Sequence, residues 1–145
     1  MPEVRHKFIV YGNPRGKARP RFFKNHAYTD AATTEYEGRV RRMWKSENFY
    51  KLPKQPTKVI IDAFFRVPVS LPKKRREALF NTPHLKKPDG DNIAKIILDA
   101  LNTVAWADDS QISTLYVRKM YVGSEDEQPR VEVTIIGEGE SENDD

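Results

Sequence analysis

The stretch KKPDGDNIAKIILDALN, residues 86–102, decides how this chain must fold. A helix starts near Asp89 to Asp91, where free amides and the positive dipole end favour carboxylates. At about 100° per residue, with Asp91 at zero, Asn102 falls near about 20°, Lys95 at about 40°, Asp99 at about 80°, Asn92 at about 100° and Thr103 at about 120°. Ile93, Ala94, Ile96, Ile97, Leu98, Ala100 and Leu101 occupy the remaining arc. A helix that is apolar around more than half its circumference is largely buried and keeps one polar window.

Working outward, the next acids are Asp108 and Asp109. A helix from Asp91 to Thr103 spans about 18 Å, and the six residues that follow can stretch to about 20 Å, so Asp109 can return to Asp91. Two acids at a helix start can be simple caps. A lysine one turn inward and a second acid pair downstream go beyond what a cap needs. Carboxylates that converge without histidine or cysteine form an oxygen-only site, which suits Mg²⁺ or Mn²⁺ rather than zinc. Such ions support phosphodiester hydrolysis. Lys95 can place its ammonium against a phosphate oxygen where charge grows, or form an i,i+4 pair with Asp91 or Asp99. Asp99 lies about 12 Å along the axis from Asp91, too far to share a metal, and is expected to be an ion-pair partner.

The rest of the chain mixes strands and helices without strict alternation. Residues 5–11 read as a strand ended by Gly12, Asn13 and Pro14. In residues 16–24 the bases Lys17, Arg19, Arg21 and Lys24 alternate with Ala18, Pro20, Phe22 and Phe23, and residues 26–29 complete a short hairpin. Thr29 or Asp30 caps a basic amphipathic helix that runs to about Ser46. Residues 57–67 form a strand between Pro56 and Pro68, and Pro72 opens a helix bearing Lys73, Lys74, Arg75 and Arg76, which its dipole disfavours without a nearby anion. Residues 113–122 and 130–136 read as two further strands. The pattern is α+β.

The 145 residues contain no cysteine, which excludes disulfides, thiol catalysis and cysteine-bound zinc. With no long apolar run and no secretory h-region, a single soluble, cytoplasmic domain is expected over residues 1–137, without a membrane partner or a small-molecule substrate. Residues 138–145 carry five acids and no base, and read as a disordered acidic tail. Without them 25 bases face 16 acids, a balance that attracts a polyanion.

The run from Lys87 to Lys95, the segment Asp99, Ala100, Leu101, and the segment Trp106, Ala107, Asp108, Asp109, Ser110, Gln111 together resemble the RusA family of Holliday-junction resolvases. The resemblance covers about residues 8–136 and extends to a basic loop at residues 16–21 and to Arg118 and Lys119. Lys87 stands where arginine is frequent in the family, and Gly90 at its variable site. It implies catalytic, metal-binding acids at Asp89, Asp91 and Asp109, with Asp108 as the alternate acid of its pair, and an essential lysine at Lys95. It also implies a compact α+β homodimer with a mixed or antiparallel sheet, of bacterial or phage origin, that nicks two opposed strands of a four-way DNA junction with Mg²⁺ or Mn²⁺. Two-fold symmetry of protein and junction agrees with a dimer. Lys17, Arg19, Arg21, Lys24, Lys73, Lys74, Arg75, Arg76, Lys86, Lys87, Arg118 and Lys119 would then hold the arms through phosphates.

Two other readings share these features: a non-catalytic branched-DNA-binding protein whose acids only cap a helix, and a less selective flap or fork nuclease. Phe22, Phe23 and Tyr28 are expected to pack into a core rather than stack on unpaired bases, and Trp106 is expected to be a core anchor. His6, His26 and His84 lack metal-ligand spacing, and Ala100 stands where a calcium loop opening at Asp89 would need its glutamate.

Overall fold

The computed structural model describes residues 3–138, without the side chain of Arg21. In chain order the elements are β1 (Val4–Tyr11), β2 (Arg21–Phe23), β3 (His26–Tyr28), α1 (Ala31–Ser46), β4 (Thr57–Phe65), α2 (Lys73–Leu79), α3 (Gly90–Leu101), a 3-10 turn (Asp109–Gln111), β5 (Ile112–Tyr121) and β6 (Arg130–Gly137). Four strands form a mixed sheet in the order β1-β6-β4-β5, in which only β4 and β5 run parallel. A parallel neighbour requires a crossover, and the segment holding α2 and α3 supplies it. The fold is therefore α+β. Glu138 is the last described residue, so the acidic run of Glu140, Glu142, Asp144 and Asp145 lies outside the described residues.

Alternation dictates which side of β4 is buried: Thr57, Val59, Ile61, Ala63 and Phe65 all point into the core. The strand stops two residues short of the expected Val67 because the Arg66 amide donates to Asn13 Oδ1 at 3.2 Å instead of to a neighbouring strand. Asp30 caps α1 as its sequence predicts, accepting from the Thr33 amide at 2.7 Å, and Tyr36, Val40 and Trp44 bury the inner stripe. That stripe packs against α3, whose Ile93, Ile96, Ile97 and Leu101 are fully buried. Each such side chain contributes roughly 1.5–3 kcal/mol, so α3 is fixed in place by its apolar arc.

The helix ends at Leu101, where its apolar arc ends and two residues before the expected Thr103. Asn102 leaves it with an extended conformation (φ −58°, ψ 130°), and Thr103 takes a left-handed φ of 65°. The chain is thereby turned back at once. The β2–β3 ribbon forms the expected hairpin, closed by Lys24 and Asn25 at φ 50° and 66°, the pair of positive values that a two-residue turn needs. It departs from expectation in one respect: Phe22, Phe23 and Tyr28 are exposed at 73%, 67% and 48%. With three-residue strands that join no other strand, the ribbon offers them no second layer. Among the described residues no helix is long and apolar enough to cross a membrane.

Two histidines belong to the core. His6 stacks on Phe49 with ring centroids 4.3 Å apart, and His84 on Phe65 at 3.6 Å. Burial lowers the pKa of both, and Lys119 and Lys86 add to the effect at His84, which is brought down to about 4. Between about 4 and the ordinary 6.5 the unfolded chain binds a proton that the folded chain refuses. Stability is thus expected to be complete above pH 6.5 and to decline as pH falls toward 4. Urea midpoints across that range check this, with His84→Phe expected to flatten the decline and an unflattened decline counting against it.

Candidate active site

Asp89 occupies the N-cap position of α3, yet its carboxylate caps nothing. It makes no side-chain capping bond and instead faces Lys87 Nζ at 3.2 Å, with both groups exposed. Asp91 sits in the first turn. With Lys95 and Asp99 it lines an open groove of about 560 Å³, whose apolar walls come from Ala94, Leu98, Leu115 and Val117. The remaining polar side chain lining that groove is Asp109. Carboxylates from separate segments, Asp91 and Asp99 of α3 and Asp109 ahead of β5, therefore line one groove, an arrangement that the loop length allows.

Asp109 is held there by the turn that ends α3. Trp106 is fully buried, and its indole Nε1 donates to Asp109 Oδ1 at 2.7 Å. Asn102 Oδ1 accepts the Asp109 amide at 3.0 Å. Burial pushes the Asp109 carboxyl above its ordinary pKa; the Trp106 donor opposes this, Asp99 and Asp108 push further up, and Lys95 pulls down. A desolvated carboxyl among other acids is a place where a cation is welcome.

Asp108 has a different task. It accepts from the Ser110 amide at 2.9 Å while Gln111 accepts from the Asp108 amide at 3.1 Å, which makes a capping box. Those bonds to Ser110 lower its pKa. Gln111 also ties this turn to the core through Pro53 O and Thr57 Oγ1, at 2.9 and 3.0 Å.

Lys95 pairs with Asp99 at 3.4 Å, the i,i+4 contact that the spacing allowed, while its side chain stays 60% exposed. Asp99 is the ion-pair partner expected of it, but it also shares the groove wall with Asp91 and Asp109. Its helical angle near Lys95 was the available signal. Lys17, expected on DNA, is committed elsewhere: its ammonium lies 2.6 Å from Glu37 and 3.2 Å from Asp99, and its side chain is only 17% exposed. Burial opposes that charge, but the bonds to Glu37 and Asp99 more than offset it and raise its pKa. Lys17 anchors its loop to α1 and α3.

The same loop is pinned through the backbone, where the Lys17 amide donates to Asn92 O at 2.9 Å. This approach depends on Gly16, because a Cβ there would lie 2.8 Å from Pro88 Cβ and 3.1 Å from Asn92 Cβ. Gly16→Ala is expected to destabilise the fold by about 1–3 kcal/mol through overpacking and to slow any reaction in the adjacent groove. Urea unfolding and a nicking assay check it, and a variant equal to wild type in both would contradict the packing argument.

The other basic residues fall into two groups. Arg19, Lys73, Lys74, Arg75 and Lys86 are exposed, as is Lys24, whose ammonium lies 5.5 Å from the Phe23 ring centroid. Partly engaged are Arg76 with Glu125 at 2.9 Å, Arg118 with Asp62 at 3.0 Å, Lys119 with the Lys86 carbonyl at 2.6 Å, and Lys87 with Asp89. Arg15, Lys17 and Lys87 border a second cleft, of about 380 Å³, beside the start of α3.

Among the described residues, no three acidic or histidine side chains form a ready metal cage. Mg²⁺ seldom uses one: it keeps waters and binds through one or two carboxylates plus substrate phosphates. Asp91, Asp99 and Asp109 offer carboxylate oxygens along one groove, and an oxygen-only donor set fits that ion.

A family model described as Endodeoxyribonuclease RusA matches residues 11–136. The chain is also 33% identical over 137 residues to the uncharacterized protein YqaN of Bacillus subtilis (strain 168), a match that spans 89% of this chain and 94% of YqaN.

Proposed function

Because this chain belongs to the RusA endodeoxyribonuclease family, we propose that it is a divalent-metal-dependent resolvase of four-way DNA junctions whose active site is the groove between α3, β5 and Asp109. The observation that supports the reading is that Asp91, Asp109 and Lys95 all line one groove. Asp91 and Asp109 hold the ion, and Asp89 is the third acid. Its lack of a capping bond favours this role over that of an architectural protein whose acids merely finish a helix. When bound, Mg²⁺ or Mn²⁺ supplies Lewis-acid stabilisation of the charge that grows on the phosphate. Lys95, loosely tethered by Asp99, presents its ammonium to a non-bridging oxygen as that charge develops. Asp99 positions Lys95 and Lys17 rather than meeting the substrate.

Exposed cations at Arg19, Lys24, Lys73, Lys74, Arg75 and Lys86 carry the arms through phosphates, and Arg76, Lys87, Arg118 and Lys119 join them where their partners yield. Arg21 completes the set by sequence. Residues 1–137 constitute the nuclease domain and 138–145 an acidic tail. A homodimer in the cytoplasm sets one groove on each of two symmetry-related strands.

A synthetic four-way junction with each strand labelled in turn tests the reading on denaturing gels. Paired symmetric nicks that require Mg²⁺ are expected. Binding without incision would instead support the architectural reading, and equal incision of flaps or forks the less selective nuclease.

A further inference from the structure

The exposed rings of the β2–β3 hairpin need an account. Register sets Phe23 opposite His26, with Tyr28 on the same face, whereas Phe22 sits opposite Ala27 on the other face. Both sides of a thin blade thus carry aromatic surface. An isolated two-stranded ribbon is marginal in water, and rings left exposed contribute nothing to folding. Only contact with a partner would bury them.

Charge identifies that partner. Residues 12–29 contain Arg15, Lys17, Arg19, Arg21 and Lys24 and no acid. A second copy of the hairpin would set like charges together, which costs energy at an interface. A polyanion that also offers flat π-faces satisfies both the cations and the rings. Unpaired nucleobases on a phosphate backbone have this chemistry, and stacking on them tolerates any sequence.

Position completes the argument. The strand entering the blade leaves from Lys17, whose amide holds Asn92 O at 2.9 Å and whose ammonium lies 3.2 Å from Asp99 on the groove wall. The strand leaving it passes directly into Asp30, the cap of α1. The blade is therefore rooted at the rim of the carboxylate groove. We propose that it is a stacking device for bases splayed from the strand whose phosphate enters that groove, with Phe22 serving one face and Phe23 and Tyr28 the other, so that branched or opened DNA is selected over continuous duplex. This rests on the nuclease reading for its substrate.

Competition binding without divalent metal tests it, using a four-way junction and a continuous duplex of equal length. The double variant Phe22→Ala/Phe23→Ala is expected to lose about tenfold or more in junction affinity, with duplex affinity and thermal unfolding unchanged. Phe22→Trp/Phe23→Trp is expected to restore junction affinity. Equal losses on both DNAs, no loss on the junction, or a changed sedimentation coefficient of the DNA-free variant would each overturn the proposal, the last by showing that the rings pack on a second copy. If wild type nicks junctions while the alanine variant keeps full selectivity, only the stacking role fails. If wild type never nicks, the nuclease reading fails, and the affinity comparison still decides the stacking role.

Discussion

Asp91→Asn is expected to reduce metal-dependent junction cleavage by several orders of magnitude and to leave junction binding intact. The substitution keeps the side chain's size and removes the charge that holds the ion, while the cations that carry affinity stay in place. Asp108→Ala provides the contrast. It removes the capping acceptor for the Ser110 amide and lowers stability, but its carboxylate does not line the groove, so cleavage should persist. Nicking rates and gel-shift titrations on one labelled junction check both variants. Near wild-type cleavage by Asp91→Asn would remove that acid from the site.

Trp106 carries the second large effect, because one side chain serves both the core and the groove. Trp106→Ala is expected to destabilise the domain by about 3–5 kcal/mol, a large share of the roughly 5–15 kcal/mol that holds a typical domain together. Trp106→Phe separates the two roles by keeping most of the ring while deleting the donor to Asp109 Oδ1. That bond opposes the rise in the Asp109 pKa, so its loss lets the pKa climb further. An ionised Asp109 then exists only at higher pH, and the acid limb of the cleavage profile should move upward relative to wild type. A pH–rate profile of Trp106→Phe checks this; an unmoved limb, with stability retained, would show that the indole bond does not tune Asp109.

How much of this site the sequence reveals follows from where each residue gets its position. Asp91, Lys95 and Asp99 are placed by helical geometry alone, so the polar window of α3 is legible from spacing. Asp109 is legible only as a residue within reach, and what aims it is tertiary: a buried indole, and an Asn102 amide that periodicity assigns to the helix but that lies just beyond its end. The engagement of Asp108 is likewise tertiary, because its capping box needs Gln111 folded against Pro53 and Thr57. Lys17 shows the opposite case. Its alternation with Arg19 and Arg21 suggests a surface cation, but Glu37 and Asp99, distant in sequence, draw it inward. The hairpin aromatics differ from expectation because, among the described residues, the three-residue strands join no other strand and leave these rings exposed.

Whether carboxylates from two segments hold a hard cation beside a DNA phosphate is decided by anomalous diffraction from crystals of the protein with junction DNA and Mn²⁺. A manganese peak coordinated by Asp91 and Asp109 next to a backbone phosphate is expected. A groove that binds DNA with those two carboxylates apart, and with manganese bound elsewhere, would contradict it.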